Sequence, residues 1–245
     1  MSGFLLWSMS VSSQTYGMGK RGPRPKNEEI IWSSNLAYGV GLMATDGCLS
    51  PDGRHLLLTS KDREQLENLK AIFNVKANIG IVRSGTSISF REYERLQWGD
   101  VQLYNFLLSI GLTPNKSLTL GEVKVSDEYF FDFLRGLHDG DGCFYSYFDP
   151  RWKSSYMFYL CFTSASKAHL DWLRSTLGRL LGVKGSLSSH LQQNRRNSLY
   201  NLKFAKAETL KILEKMYPHP KVVSLTRKRL KIEEALRIVG EYLPS

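Results

Sequence analysis

The feature that most constrains the fold of this chain is an internal repeat. Residues 38–49 read YGVGLMATDGCL and residues 133–144 read FLRGLHDGDGCF, and the two segments share the pattern G-L-x-x-x-D-G-C in register. The pattern aligns Asp46 with Asp141, a spacing of 141 − 46 = 95 residues. Self-similarity over such a distance predicts two tandem copies of one structural unit.

The segments that follow each repeat agree with this prediction. Apolar residues at a period of 3.6 predict helices and alternating apolar residues predict strands, in the order α-β-β-α-β-β-α for each half. We therefore predict an α+β fold in which two such units are related by a pseudo-twofold axis. The predicted organisation is a basic, flexible leader (1–28), a first half (29–112), a linker (113–127) and a second half with a basic C-terminal helix (128–245).

Both repeat helices contain glycine, although glycine costs about 1 kcal/mol relative to alanine inside a helix. Ala37, Gly41 and Thr45 recur every four residues in the first helix, as do Gly136 and Gly140 in the second. Such stripes of small side chains let two helix backbones approach closely. We expect the two helices to pack against each other along these stripes. The large side chains of the same helices should point into their own halves: Leu42, Met43, Phe133, Leu134 and Leu137.

The glycines that end the repeats set the position of the aspartates. Gly47 and Gly142 are expected to form left-handed C-terminal caps of the two helices. Asp46 and Asp141 would then lie side by side in the last helical turns.

Two adjacent carboxylates at helix ends form an unfavourable arrangement. Asp46 and Asp141 would repel each other, and each would face the negative end of its helix dipole. A divalent cation would relieve both effects. The free carbonyl groups of Thr45 and Gly140 would add hard oxygen donors of the kind that Mg²⁺ prefers.

The two repeats resemble the dodecapeptide motifs of single-chain LAGLIDADG homing endonucleases. The second, L-R-G-L-H-D-G-D-G, matches at nearly every place. The first has Gly39 for the leading leucine and Ala44 for the earlier acidic residue, but keeps the glycine and the final Asp-Gly. The resemblance extends over about residues 35–232, because LLSIGLTPNKS, LKFAKAETLKILEKMYP and SLTRKRL also look like family segments.

The resemblance implies a monomeric, site-specific DNA endonuclease. Its motif helices would pack beneath two antiparallel sheets that form a saddle over duplex DNA. Asp46 and Asp141 would bind two or three Mg²⁺ ions, each site serving one strand, and hydrolysis across the minor groove would leave short 3′ overhangs. Because the halves differ in sequence, the target should be long and asymmetric.

Family members often carry a lysine just before the last helix of a half. This places Lys206 in the catalytic site of the second half, with Lys203 as the less favoured choice. A solvated lysine at a helix start is the alternative for Lys206. The first half offers only Gln97 nearby, so the resemblance also implies that the two strands are cut at unequal rates.

The resemblance assigns supporting positions near the metal-bound water. Family members commonly place a polar residue after the threonine that ends the second strand, and here Ser60 and Ser164 occupy that position. An ordinary strand-end hydroxyl is the alternative for both. Asp139 is expected to support the site or the fold, because its counterpart Ala44 has no ligating group.

Alternation along the strands predicts which side chains face DNA. In the segment 183–192, apolar residues alternate with polar ones, which leaves the polar set free for the edges of bases in the major groove. Other strands place arginines and tyrosines on one face, and the turn after 190 adds two arginines for phosphates. The predicted DNA-contacting residues are Arg91, Tyr93, Arg95, Tyr145, Tyr147, Lys184, Ser186, Ser188, His190, Gln192, Arg195 and Arg196.

Composition supports a polyanionic partner inside the cell. Lysine and arginine outnumber aspartate and glutamate by 33 to 23, which gives a net charge of +10 and favours nucleic acid or an anionic surface. We expect duplex DNA rather than a membrane, because the apolar runs are shorter than the ~20 residues that a span needs. The three cysteines lack metal-ligand spacing and are odd in number, which indicates reduced thiols in an intracellular protein.

Two other functions fit the expected fold. An RNA maturase that assists splicing of its own group I intron would use this fold with or without the acidic pair. A regulator that binds DNA without cutting it usually lacks the acidic pair and carries a helix-turn-helix domain, and the sequence indicates neither feature. The paired aspartates therefore favour the nuclease.

Overall fold

The two halves of the chain form the same order of elements, as predicted from the repeat. The computed structural model describes residues 29–85, 90–152, 154–190 and 197–244, so the predicted leader at 1–28 lies outside the described residues. The first half contains α1 (Ser34–Ala44), β1 (Gly47–Leu49), β2 (His55–Ser60), α2 (Arg63–Ile72), β3 (Gly80–Gly85), β4 (Phe90–Gly99) and α3 (Val101–Ser109). The second contains α4 (Phe130–Asp139), β5 (Cys143–Phe148), β6 (Tyr156–Ser164), α5 (Lys167–Leu181), β7 (Ser186–His190), β8 (Leu199–Ala205), α6 (Lys206–Met216) and the basic helix α7 (Thr226–Ile238).

Each half folds its four strands into one antiparallel sheet. The strand orders are β1-β2-β4-β3 and β5-β6-β8-β7, so the second sheet repeats the topology of the first. A short 3₁₀ helix, Lys116–Leu118, lies in the connection between the halves. The prediction of an α+β fold with two α-β-β-α-β-β-α units is confirmed.

Alternation along the strands divides each sheet into a core face and an open face. In β6, Phe158, Leu160 and Phe162 are almost fully buried, because they point to the face that the helices of the second half cover. Leu58 and Leu96 do the same in the first sheet. The residues between them point to the opposite face, which we call the open face.

Three polar residues start the helices that carry these layers. Ser33 accepts a hydrogen bond from the Leu36 backbone N–H (3.2 Å), and Asp100 accepts one from Leu103 (2.9 Å). Ser166 caps α5 in the same way. Such caps satisfy amide groups that have no partner within the helix and contribute about 1 kcal/mol each.

Helices α1 and α4 cross with their backbones in contact, as the small-residue stripes predicted. A Cβ atom added to Gly136 would lie 2.1 Å from the Tyr38 carbonyl oxygen, and one added to Gly41 would lie 2.2 Å from the Phe133 carbonyl oxygen. No side chain fits at these distances. The close crossing is therefore what the two glycines provide in return for their low helix propensity.

The expected left-handed caps at Gly47 and Gly142 are wrong. Among the described residues, positive φ angles occur at other positions, such as Gly182 (φ 67°) at the end of α5. Gly47 and Gly142 are required by space instead. A Cβ atom would lie 2.5 Å from the Cα of Met43 in the first case and 2.4 Å from the Cα of His138 in the second. In each half, the backbone turns so tightly from the motif helix into the first strand that the glycine contacts the last turns of that helix.

The segment before α7 ties the two halves together. Arg227 forms an ion pair with Asp62 of the first half (2.6 Å), and Glu64 accepts a hydrogen bond from the Thr226 backbone N–H (3.0 Å). Buried Arg135 of α4 donates to the carbonyl group of Val223 in the same segment (2.8 Å). The start of α7 is thus fixed beside the end of the motif helix α4.

None of the helices in the described ranges is long and apolar enough to span a membrane.

Candidate active site

Asp46 and Asp141 lie directly beyond the abutting ends of α1 and α4. Thr45 and Gly140 are the C-terminal caps of the two helices, and a Cβ atom on Gly140 would lie 2.0 Å from the Thr45 Oγ1 atom. Each aspartate is followed, after one glycine, by the open-face cysteine of the first strand of its sheet, Cys48 or Cys143 in the two halves. The crossing of the helices therefore brings the two carboxyl groups close enough for the charge of one to act on the other.

The electrostatic environment disfavours the charged form of both carboxyl groups. Desolvation raises the pKa of Asp46, and a hydrogen bond from Gln65 partly opposes this shift. Desolvation also raises the pKa of Asp141, and the negative charge of Asp46 adds to the rise. The positive charges of Lys116 and Lys228 oppose both shifts. A bound cation would stabilise the charged form of both groups.

The two lysines hold the backbone turns that carry the aspartates. Lys228 Nζ, at the start of α7, donates to three carbonyl oxygens, those of His138 (2.6 Å), Gly140 (2.9 Å) and Gly142 (2.8 Å). Lys116 Nζ donates to the carbonyl oxygen of Gly47, which corresponds to Gly142 in the repeat. Burial lowers the pKa of both lysines. The carbonyl of Gly140, expected to be free, is therefore engaged by Lys228.

Asp46 is held in place by a chain of hydrogen bonds from α2 and β2. Gln65 Nε2 donates to Asp46 Oδ2 (3.0 Å), and Ser60 Oγ donates to Gln65 Oε1 (2.6 Å). Ser60 Oγ also accepts from the Asp62 backbone N–H (3.0 Å). Ser60, predicted near the site, is thus linked to Asp46 through Gln65.

The residues around Asp141 differ from those around Asp46. Ser164 Oγ accepts from the Ser166 backbone N–H (3.1 Å), as Ser60 does from Asp62. Ser164 and Asp141 line one small cavity together with Thr45. Thr45 directs its hydroxyl group to its own helix, at 3.2 Å from the Gly41 carbonyl oxygen. Its own carbonyl oxygen is the metal donor predicted from the sequence.

Asp139 joins three segments of the chain. Its side chain is buried, and its Oδ2 atom accepts from the Tyr38 hydroxyl (2.8 Å) and from the Leu225 backbone N–H (2.6 Å). It links α1, α4 and the segment before α7. Asp139 therefore supports the fold next to the site.

The two candidate lysines, Lys206 and Lys203, lie at different places in the second half. Lys206 Nζ donates to the Tyr156 carbonyl (3.4 Å) and lies 5.6 Å from the ring centroid of Phe158, whose side chain is buried on the core face. Lys203 instead lies on the open face, with Nζ 4.9 Å from the centroid of the Tyr159 ring. It pairs with Cys161, which pairs in turn with Cys143 beside the second aspartate.

The first sheet has glutamine at the position of Lys203. Gln97 pairs with Leu57, which pairs with Cys48, and this row corresponds to the row Cys143, Cys161 and Lys203 of the second sheet. Gln97 is exposed on the open face. The two halves therefore place different groups at equivalent positions beside their aspartates.

The described DNA-contact candidates on the strands lie on the open faces. Leu96 and Trp98 are buried on the core face of β4, which directs the alternate residues outward, and Phe144 of β5 and Leu187 of β7 divide their strands in the same way. Tyr145 and Tyr147 stack on Tyr159. The outward-facing residues are Arg91, Tyr93, Arg95, Tyr145, Tyr147, Ser186, Ser188 and His190. Lys184 is exposed just before β7, and Gln192, Arg195 and Arg196 lie outside the described residues.

The LAGLIDADG-like domain family matches residues 128–217 of this chain. The first half repeats the fold of the matched segment, and its motif helix packs against the motif helix of that segment. Residues 128–217 form a LAGLIDADG-like domain. No curated protein matches it in sequence.

Solved structures share the two-repeat fold of this chain. It is similar to the homing endonuclease I-WcaI bound to its DNA recognition sequence (TM-score 0.56, 13% identity, 80% of this chain and 86% of that chain). It is also similar to I-DmoI in complex with DNA and Ca (TM-score 0.51, 18% identity, 82% and 97%). A third similar structure is full-length DUF199/WhiA from Thermatoga maritima (TM-score 0.52, 16% identity, 86% and 62%), so the chain spans 62% of that protein's length.

The donor set of the two aspartates suits a hard divalent cation. In the described ranges no three His, Cys, Asp or Glu side chains form a cluster that could hold a metal ion alone. Asp46 and Asp141 supply two carboxylates, which is the usual protein contribution to a Mg²⁺ site completed by water and substrate phosphate. The raised pKa values of both carboxyl groups fit a site that gains from a cation.

Four residues that contact or line this site were not predicted from the sequence: Gln65, Lys116, His169 and Lys228. Alignment of the two Thr-Ser pairs that end β2 and β6 would have found two of them. That alignment has an offset of 163 − 59 = 104 residues and places Gln65 opposite His169. The two lysines follow the last helices of the repeats, and their contacts join residues 69 and 86 or more positions apart.

Proposed function

We propose that this protein is a site-specific double-strand DNA endonuclease. The observation that carries the proposal is the pair Asp46 and Asp141, held side by side by the backbone contact of α1 and α4 and raised in pKa by desolvation. A folding role would favour replacing these two carboxylates by neutral groups. Their retention close to each other supports a catalytic role.

Metal-dependent hydrolysis is the chemistry that this pair supports. Divalent cations, which we propose to be two or three Mg²⁺ ions, would supply an activated water and charge compensation at the scissile phosphates. Asp46, Asp141 and the carbonyl oxygen of Thr45 would hold them, and Gln65 would keep the first carboxylate in its orientation. The presence of Ca in the I-DmoI complex supports a hard divalent cation. Each carboxylate would serve one strand, and the cuts would leave 3′ overhangs.

The two open faces provide the surface for duplex DNA. Arginine, lysine, tyrosine and serine side chains on these faces can contact phosphates and the edges of bases. One chain contributes both faces, so we propose that the protein acts as a monomer. Because the outward-facing residues of the two sheets differ, the target would be long and asymmetric.

Lys203 is the lysine that we propose to act at the second half of the site. The variant Lys203→Met should slow cleavage of the strand served by Asp141 by about 10²-fold or more, the usual loss when one charge-stabilising group is removed from an active site. The matched control Lys206→Met should retain cleavage, because Lys206 lies on the core face beside Phe158. Single-turnover cleavage of a target labelled on both strands measures the two rates. A loss of cleavage in Lys206→Met alone would reverse the assignment.

The function is tested by cleavage of a DNA library that includes the host locus. With Mg²⁺, the wild-type protein should cut one long site in both strands, and the double variant Asp46→Asn, Asp141→Asn should bind that site without cutting it. Mapping of the ends should show 3′ overhangs. Removal of Mg²⁺ with EDTA should stop cleavage and leave binding measurable.

Two outcomes would replace the nuclease proposal. Tight, specific DNA binding without cleavage by the wild-type protein would make it a non-cleaving DNA-binding protein of the same fold. Tight binding of its own group I intron RNA, together with faster splicing and no DNA cleavage, would make it a maturase. Equal cleavage by the wild type and the double variant would show that the carboxylates have no catalytic role.

A further inference from the structure

The two repeats carry different residues, Gln65 and His169, at equivalent positions. Gln65 is the third residue of α2 and His169 is the third residue of α5, each five positions after the serine that ends the preceding strand. In the first half, Ser60 contacts Gln65 and Gln65 contacts Asp46 directly. Histidine in the second half cannot reproduce this contact unless its ring can donate a hydrogen bond.

The contacts of His169 show which nitrogen of its ring donates a hydrogen bond and which can only accept one. Its side chain is 3% exposed, and Nδ1 lies 2.8 Å from the carbonyl oxygen of Gly121. Since a carbonyl oxygen only accepts, Nδ1 carries the hydrogen. Burial lowers the pKa of His169 to about 4, so the ring is neutral at pH 7. The Nε2 atom is therefore a bare acceptor, and it has no partner within the described part of the chain.

A small cavity is lined by both His169 and the second aspartate. It has a volume of about 30 Å³, and its lining includes His169, Asp141, Ser164 and Thr45. A cavity of roughly 10–15 Å³ already holds one water molecule when polar groups surround it. Neither the Asp141 carboxylate nor His169 Nε2 can donate a hydrogen bond to the other. One water molecule, with its two hydrogens, can donate to both.

We propose that His169 is a positioning residue for Asp141 and acts through one bound water, whereas Gln65 positions Asp46 by direct contact. The inference rests on the proposed function in one respect, namely that Asp141 serves one DNA strand. The site of the second half then contains a buried water that the first half replaces with an amide group. The two half-sites can thus be altered separately.

Substitutions at His169 test this arrangement. His169→Leu removes the acceptor and should slow cleavage of the strand served by Asp141 by about 10-fold or more, as replacements behind metal ligands commonly do. It should also raise the Mg²⁺ concentration needed to cleave that strand. The cleavage rate of the other strand should change less than 2-fold, because substitutions at separate sites act nearly independently. His169→Gln supplies a donor as Gln65 does and should restore most of the rate. Gln65→Leu is the matched control and should affect the opposite strand.

Strand-resolved single-turnover cleavage with Mg²⁺ titration, thermal unfolding and a high-resolution crystal structure provide the readouts. The structure should show a water between His169 Nε2 and Asp141, and His169→Leu should lose it. Absence of that water in the wild-type structure would overturn the inference, whether or not the protein cuts DNA. A wild-type protein that never cuts but contains the water would refute the proposed function alone. Equal slowing of both strands by His169→Leu, with lower thermal stability, would assign a merely structural role.

Discussion

Replacement of Gly136 by alanine should strongly destabilise the protein. The added Cβ atom would lie 2.1 Å from the Tyr38 carbonyl oxygen and 3.0 Å from the Cα of Gly41. Both neighbours are backbone atoms in the centre of α1, so no side chain can rotate away. The two helices would have to separate. Overpacking of a close contact costs about 1–3 kcal/mol and occasionally more, and we expect a loss of about 3 kcal/mol in the free energy of unfolding.

The matched control is Gly80→Ala. Gly80 starts β3, and a Cβ atom there would meet no atom within 4 Å. The free energy of unfolding of the Gly80→Ala variant should therefore differ from that of the wild type by less than about 1 kcal/mol. Urea denaturation of both variants measures the difference. Similar midpoints for the two would show that the helices adjust to the added methyl group. In the Gly136 variant, separation of the helices would also move Thr45 away from Gly140 and disturb the aspartates.

The order of elements could be predicted because it depends on local patterns. Alternation and helical periodicity identified fourteen elements of the two repeats, and the repeated Asp-Gly-Cys aligned the halves. The stripe of Gly41 and Gly136 also predicted the crossing of α1 and α4, since a stripe of small residues has few uses other than close packing. These predictions required no knowledge of which distant segments meet.

The remainder of the site depends on contacts between distant parts of the chain. Lys228 reaches the end of α4 from the start of α7, 86 residues beyond Gly142, and local sequence has no signal for such a contact. The choice between Lys206 and Lys203 depends on a contact of the same kind. Sequence alternation alone does not show which residue of β8 lies opposite Cys161, and the register selects Lys203. The caps at Gly47 and Gly142 were misassigned because a tight approach and a positive φ both demand glycine.

If the proposed function holds, single replacement of either aspartate by asparagine should leave a nuclease that cuts only one strand. Asp46→Asn should slow one strand, and Asp141→Asn the other, by at least about 10²-fold, the loss typical of one preorganised charged group. Asparagine keeps the shape of aspartate, and its oxygen can still accept from Gln65 Nε2 in the first half. DNA affinity should therefore be retained. Cleavage of a target labelled separately on each strand measures both rates, and the lost strand identifies the partner of each carboxylate.

The same variants should unfold at the same temperature as the wild type or at a higher one. A carboxyl group whose pKa is raised on folding destabilises the native state once the pH exceeds the pKa of that group in the unfolded chain. Desolvation raises the pKa of both Asp46 and Asp141 in the folded protein. At pH 7 the neutral asparagine removes this penalty. Lower activity with undiminished stability is the signature of groups retained for chemistry at the expense of the fold. A variant that loses stability together with cleavage would show that the carboxylate holds the helix ends in place.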